Sequence, residues 1–475
     1  MSRGAKHSTF QMNSNWRERN KNGYLFQAEV PVWYRADGGV SSEWLSICEE
    51  ERNQTKDLMS AISSLSNLQT AYLAVKSNKG SSGIDNESIK DFGKWFLLGK
   101  RELQTSLLSG SYRPQAVKQV MIPKASGGER MLGIPTVRDR VVQQAIHQVL
   151  VLYYEPKFSE HSYGFRPGRN SHQALSSSCA AVRSGKSYVV DIDLSKFFDE
   201  VSHQRLLWLL STRVGDKRLL RLLGQILRSG IMIDGIVSQR IKGTPQGSPL
   251  SPLLSNIVLD ELDQELDRRG LTYVRYADDV KVFVSKRRNA ERIMGSLTNF
   301  IEHRMKLKVN KDKSAVRKAN ETVFLGYRLD WQGKLGLSKA SETRLKSKLK
   351  QITRRNRGIS LGQMIVELNK VLQGWLHYFH LARMKTKLAK IEGWLRRRLK
   401  CYRLRQCKRV IGIVRFLRQL GVEKTLSWRT ALSGKGWWRL SNSPATNIGM
   451  NNDWFARQGL YSLTAHYKRL FRNPL

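Results

Sequence analysis

Two acidic elements, far apart in the sequence, most constrain what this chain can fold into. Residues 271–275 (LTYVR) and 280–284 (VKVFV) both read as strands, so the intervening Tyr276-Ala277-Asp278-Asp279 puts two aspartates at the tip of a hairpin. Adjacent carboxylates in a turn are by themselves often only solvated turn residues. The second element changes that reading. Residues 188–193 (YVVDID) form a strand that runs into a turn, and a period of two puts Asp191 and Asp193 on one face, Val190 and Ile192 on the other. A strand interior disfavours Asp, so two of them ask for a reason such as a metal. One carboxylate from this strand and two from the hairpin would supply hard oxygen ligands for two Mg²⁺ ions ~3.5 to 4 Å apart. Nucleotidyl transfer requires such an arrangement, with in-line attack by a primer 3′-hydroxyl.

Charge points the same way. The chain of 475 residues carries 82 Lys and Arg against 39 Asp and Glu, a net +43, and such an excess strains a compact protein unless a polyanion screens it. At 40% hydrophobic residues the charge is mounted on folded structure, which excludes a disordered basic tail. The four cysteines, Cys48, Cys179, Cys401 and Cys407, form no CxxC pair and no Cys/His cluster, which argues against a zinc module. No apolar stretch approaches a membrane span, and the first residues given include no apolar core of the kind a leader carries. The expectation is a cytoplasmic protein with reduced thiols and no membrane partner.

Helix and strand signals alternate from about residue 56 to 335, as in an α+β domain. Thr136 and Asp139 make a capping-box-like start for a helix that ends at Pro156, and a second helix opens at Pro249 and Pro252 and stops before Gly270. Residues 1–55 are aromatic-tinged without a clear period, and their role is not legible. Between 341 and 440 stand 26 Lys and Arg and 4 Asp and Glu, a net +22, about half of the total. Within that region Arg396, Arg397, Arg398, Lys400, Arg403 and Arg405 are spread over a frame of Ile391, Trp394, Leu395, Leu399 and Tyr402, which reads as a helix with one buried stripe and a basic remainder. A solvated face is the bland alternative; the density of charge and the interleaved aromatics favour contact with RNA or DNA. Ser184-Gly185-Lys186-Ser187 echoes the end of a phosphate-binding loop, but Ala180 stands where a glycine is required and a strand follows rather than precedes it.

Ordered blocks now make a resemblance visible: Asn78 to Gly80 with Gly83 to Asp85; Ile122 to Lys124; Arg130 to Pro135; Tyr163 to Pro167; Asp193 to Asp199; Gly243 to Ser248; Tyr276 to Asp279; Leu307 to Asn310 with Lys313; and Phe324 to Gly326. In this order they resemble a bacterial group II intron reverse transcriptase/maturase, of the shorter type lacking an endonuclease, over roughly residues 60–475. The resemblance implies a right-hand polymerase, with fingers and an antiparallel, carboxylate-bearing palm sheet in 56–335. A helical thumb or maturase-specific domain would follow in 336–430 and a short DNA-binding region in 431–475. It implies an RNA-directed DNA polymerase using two Mg²⁺ ions, with deoxynucleotide triphosphates, an RNA template with a DNA primer, target DNA and the group II intron RNA as partners. A catalytically silent RNA-binding maturase, or a retron- or defence-type reverse transcriptase, are the alternatives.

Carried over residue by residue, the catalytic and metal-binding set is Asp193, Asp278 and Asp279, with Asp191 the alternative to Asp193. The family's first aspartate lies five residues before the aromatic under the incoming sugar, which selects Asp193 with Phe198; that ring would clash with a ribose 2′-hydroxyl. Gln246 stands where relatives contact the templating pair, although Gly243 and Gly247 also simply permit a tight turn. Lys124 and Arg130 resemble the pair that clamps the triphosphate. Lys313 resembles a lysine that protonates departing pyrophosphate, and Phe324 to Gly326 a hairpin that supports the primer end.

Overall fold

The computed structural model describes residues 49–123, 128–233, 236–238, 240, 242–245 and 247–472. Lys124 and Gln246 therefore lie outside the described residues, as do residues 1–48. The described residues divide into two compact units, the first comprising those up to 177 with 188–316, the second 178–187 with those from 317 onward.

The first unit contains two sheets. In one, β1 (Val117–Pro123) pairs antiparallel with β2 (Glu129–Ile134) and parallel with the short β4 (Ile231–Ile233), which carries β5 (Ile236–Ser238) at its far edge. In the other, β3 (Tyr188–Asp193) lies beside β7 (Asp279–Val284), which is hairpinned to β6 (Thr272–Tyr276), and the short β8 (Ala315–Lys318) completes the order β6-β7-β3-β8. Alternation decides which face is buried. Val190, Ile192, Val280, Val282 and Tyr273 share one face and are buried in the main core. The opposite face carries Asp191 beside Lys281 and Asp193 beside Asp279.

The helices follow the expected signals. Helix Val137–Tyr154 is capped by Thr136, whose hydroxyl accepts from the Asp139 N–H at 3.1 Å and donates to the Asp139 carboxylate at 2.8 Å. Helix Ser251–Arg268 has Pro in its first turn and stops before Gly270, whose φ of +62° is the left-handed value a helix end favours. It buries Leu254, Ile257, Val258, Leu262 and Leu266, together with Asn256 and Asp263. Residues 51–55, unassigned in the sequence, are tied down: the Thr55 hydroxyl donates to the Arg213 carbonyl at 2.7 Å and Glu51 pairs with Lys157 at 2.6 Å.

The second unit is helical apart from β9 (Val323–Phe324), β10 (Tyr327–Leu329) and β11 (Leu335–Leu337). These strands lie with the helices rather than with the first unit, so the units divide at 316/317 where the sequence suggested 335/336. The reason is packing: Tyr327 is fully buried 5.2 Å from the Phe379 ring, its hydroxyl donates to the Tyr378 carbonyl, and the Tyr378 hydroxyl donates to the Leu325 carbonyl at 3.1 Å. Helix Leu361–Phe379 opens with a capping box between Ser360 and Gln363, and helix Lys385–Gln406 buries Leu388, Ile391, Leu395, Leu399 and Tyr402. The buried Glu392 of the latter accepts from the Ser462 hydroxyl, the Thr464 N–H and the Thr464 hydroxyl at 3.0, 3.0 and 2.8 Å, anchoring the C-terminal segment. No helix among the described residues is long and apolar enough to cross a membrane.

Candidate active site

Asp193 ends β3 directly opposite Asp279, the first residue of β7. Directly opposed strand residues have Cα atoms only about 4.5–5.5 Å apart, so two carboxylates meet through backbone register alone. The hairpin turn itself is two residues long, because Tyr276 pairs with Asp279. Asp278 is thus at the tip as expected, while Asp279 already belongs to the strand. The turn requires a positive φ at its first position, and Ala277 adopts +58° there.

Asp191 is occupied otherwise. Its carboxylate pairs with the ammonium of Lys281, its cross-strand partner, and the same ammonium reaches Asp279. The Lys281 side chain is only 4% exposed, and although burial alone would pull the ammonium down, Asp279 and Asp191 hold it above the ordinary lysine value. Burial raises the Asp279 carboxyl above the ordinary aspartate value against the pull of Lys281. Sequence reading missed Lys281; a lysine inside an otherwise apolar strand, two residues past Asp279, was the available signal.

The turn after residue 306 braces Asp193 from the other side. The Asp193 carbonyl accepts from the Asn310 N–H at 2.8 Å, the Asp193 N–H donates to the Ser314 hydroxyl at 3.0 Å, and the Lys313 ammonium stands 3.6 Å from the Asp193 carboxylate. Phe198 lies in the short helix Phe197–Glu200 beyond β3, half-buried and edge-on to Phe197 at 5.4 Å. Its carbonyl accepts from the Thr244 N–H at 2.7 Å, which fastens the 243–245 loop to this short helix. Gly243 is required there: its φ is +86°, and a Cβ would come within 2.9 Å of the Phe198 and Asp199 carbonyls.

The block from Tyr163 to Pro167 gains a physical task. The Tyr163 N–H donates to the Arg275 carbonyl and the Arg275 N–H to the His161 carbonyl, both at 2.9 Å, so this segment runs alongside β6. Gly164 backs directly onto the turn, where a Cβ would stand 2.2 Å from the Ala277 nitrogen. From beneath, the fully buried Arg275 is ion-paired with Asp263 and donates to Asn256 Oδ1 and to the Ala277 carbonyl, both at 2.9 Å. Asn256 in turn donates to the Gly164 carbonyl at 2.9 Å. Neither Asn256 nor Asp263 was singled out from the sequence; polar residues seven apart on a helix's apolar face were the signal.

Among the described residues no group of three or more His, Cys, Asp or Glu is gathered tightly enough to hold a metal ion as it stands. The donor chemistry nevertheless fits a hard divalent cation: three carboxylates, two of them cross-strand neighbours, the third adjacent in the turn. Arg130 lies in β2 opposite Ile122, and its side chain is outside the described residues.

Comparison with known proteins decides the family. Residues 122–329 match the family described as reverse transcriptase (RNA-dependent DNA polymerase), and residues 343–420 the group II intron, maturase-specific domain. The protein YkfC of Escherichia coli is 33% identical over 304 residues, 55% of this chain and 78% of that protein. The chain belongs to the group II intron reverse transcriptase/maturase family. Among its other relatives are the group II intron-encoded protein LtrA of Lactococcus lactis, 28% identical over 54% of each chain, and the putative COX1/OXI3 intron 2 protein of Saccharomyces cerevisiae, 28% identical over 60% of this chain and 41% of that one. The chain thus spans about half the length of these two relatives.

In the maturase-specific region of this reverse transcriptase, the cations singled out on helix Lys385–Gln406 mostly have protein partners. Arg396 pairs with Glu392 at 3.5 Å, Arg397 lies 4.1 Å over the Trp438 ring and donates to its carbonyl at 3.1 Å, and Arg403 lies 4.2 Å over Phe416. Arg398 donates to the Thr353 hydroxyl at 2.5 Å and to the Thr353 carbonyl at 3.1 Å. Lys400 donates to Asn447 Oδ1 at 2.7 Å, and burial pulls its amine down to about 8. Arg405 is exposed. His377 and His380 are joined through a 2.7 Å contact from His380 Nδ1 to the His377 carbonyl, and belong to no metal-holding group.

Proposed function

We propose that this chain is a Mg²⁺-dependent RNA-directed DNA polymerase encoded by a group II intron, which also binds the intron RNA to assist splicing and mobility. The observation that carries the proposal is the register that sets Asp193 opposite Asp279 with Asp278 beside it in the turn. In this reading the first unit supplies the fingers and palm of a right hand, and the helical second unit the thumb and maturase surface. RNA template with DNA primer and deoxynucleotide triphosphates would meet at the carboxylates, target DNA would engage residues 431–475, and the complex would work in the cytoplasm.

Asp193, Asp278 and Asp279 would hold two Mg²⁺ ions. When bound, such ions lower the pKa of the primer 3′-hydroxyl and neutralise charge on the triphosphate. The chain's own residues do the rest. Lys281 fixes the Asp279 carboxylate from beneath, and Asn310 and Ser314 fix the backbone of Asp193. The exposed ammonium of Lys313 is available to give a proton to pyrophosphate. Phe198 would exclude a 2′-hydroxyl, Gln246 would touch the templating pair, and Lys124 and Arg130 would neutralise the triphosphate. Extension of oligo(dT) on poly(rA) should fall by about 10³-fold in Asp278→Asn and in Asp279→Asn, equivalent to ~4 kcal/mol. Undiminished synthesis by either variant would refute the proposal.

A further inference from the structure

The second unit holds cations that no carboxylate answers. Helix Lys339–Ile352, the turn after it and helix Lys385–Gln406 enclose an open groove of about 570 Å³ that is lined by Lys350, Arg354, Arg355, Arg398 and Arg405 and by no acidic residue. Elsewhere in the same unit cations are matched, as in Arg357 with Glu367, Lys346 and Lys387 with Glu342, and Arg396 with Glu392. The five groove cations make no ion pair with a carboxylate among the described residues. Gathering like charges in one recess is unfavourable unless an anion enters it. Crowding is felt at Arg398, whose guanidinium burial pulls below the ordinary arginine value, with Arg355 adding repulsion.

The groove also has an aromatic end. A neighbouring recess of about 350 Å³ shares Lys350, Arg355 and Arg398 and adds Trp394 and Trp438. Trp438 is 40% exposed although large and apolar, with Arg397 over one face of its ring, and Trp394 is half-buried. Arg398 is fixed between the two recesses by its bonds to Thr353 and to the Lys350 carbonyl at 3.2 Å, and lies 5.3 Å over the Trp394 ring. A shelf of guanidinium groups suits phosphate oxygens, and an adjacent indole suits the face of a base. A fully paired helix offers phosphates but keeps its bases stacked away from such a recess.

We propose that this groove and its tryptophan recess bind one unpaired nucleotide of an RNA strand, phosphate on the arginines and base on the indoles. The inference rests on the RNA-binding part of the function proposed above and gives it a definite ligand. The full chain should be titrated against two fluorescent RNA hairpins that differ only by one bulged nucleotide, with anisotropy as the readout. The bulged hairpin should bind about tenfold tighter, and Trp438→Ala and Arg355→Gln, both at exposed positions, should each erase most of that ratio. Equal affinity for the two hairpins, or a ratio that survives both substitutions, would overturn the site. A DNA hairpin with the same bulge separates the sources of such a nucleotide: preference for the RNA supports the proposal, and preference for the DNA overturns it. Extension of oligo(dT) on poly(rA) by the same preparations tests the polymerase independently, so a failed pocket and a failed polymerase are distinguishable.

Discussion

Lys281 is the residue on which the acidic face depends. Three carboxylates and the Asp191 side chain crowd the ends of β3 and β7, and one buried ammonium stands between Asp191 and Asp279. Lys281→Met would remove the ammonium that both carboxylates share. Breaking a fully buried pair typically costs ~3–5 kcal/mol; the Asp279 side chain is 39% exposed, so solvent screening reduces the expected loss to about 2 kcal/mol. The Asp279 carboxyl, already raised by burial, would rise further without the lysine. A raised carboxyl is protonated at higher pH, so the acid limb of the pH–rate profile should move to higher pH in Lys281→Met. Single-turnover nucleotide incorporation measured from pH 6 to 9 checks this. Adding Asp191→Asn to the variant should recover part of the lost stability, because one of the two like charges that the ammonium held together is then gone. A profile that does not move would assign Lys281 a packing role only.

At the scale of elements, helix Ser251–Arg268 carries the turn at residues 276–279 on a polar underside. Arg275, Asp263 and Asn256 form a buried network there, and the neighbouring Asp260 is pushed up to about 7, chiefly by burial and then by the Asp263 charge. Among the described residues its buried Oδ1 has no hydrogen-bond partner. Because the folded pKa lies above the unfolded one, the native state holds the extra proton, and the associated stability is present below pH ~4 and lost as pH rises through about 7. Asp260→Asn should therefore gain stability relative to the parent between pH 5 and pH 8, by up to about 3 kcal/mol at ~1.4 kcal/mol per unit. Urea denaturation at the two pH values reads the difference, and an unchanged gap would place the proton elsewhere. Strands β3, β6 and β7 and the helices Val137–Tyr154 and Ser251–Arg268 were legible in the sequence because alternation, a Thr136 cap and a Pro start act within a few residues. The partner of Asp191 was not, since β3 and β7 lie some 90 residues apart and period two fixes a face without fixing a register. The close approach of Gly164 to Ala277 was hidden for the same reason. On helix Lys385–Gln406 the buried stripe was readable, but the cations' partners at Thr353, Trp438 and Asn447 come from other segments.

For the whole molecule the net charge of +43 sets how it meets nucleic acid. Many of the cations are used internally, so the footprint on RNA is smaller than the composition suggests. With six or more phosphate contacts remaining, affinity for intron RNA should fall about 10³-fold between 50 and 200 mM salt. Filter binding across that range measures it, and a change under about threefold would contradict an electrostatic footprint. The polymerase claim turns on which carboxylates serve the reaction. β3 offers two on one face, and the structure commits Asp191 to Lys281 while leaving Asp193 opposite Asp279. Single-turnover incorporation of one deoxynucleotide opposite an RNA template, compared between Asp193→Asn and Asp191→Asn, separates them. Asp193→Asn should lose about 10³-fold and Asp191→Asn roughly tenfold or less; an inactive Asp191→Asn beside an active Asp193→Asn would contradict the assignment of Asp193 to the reaction.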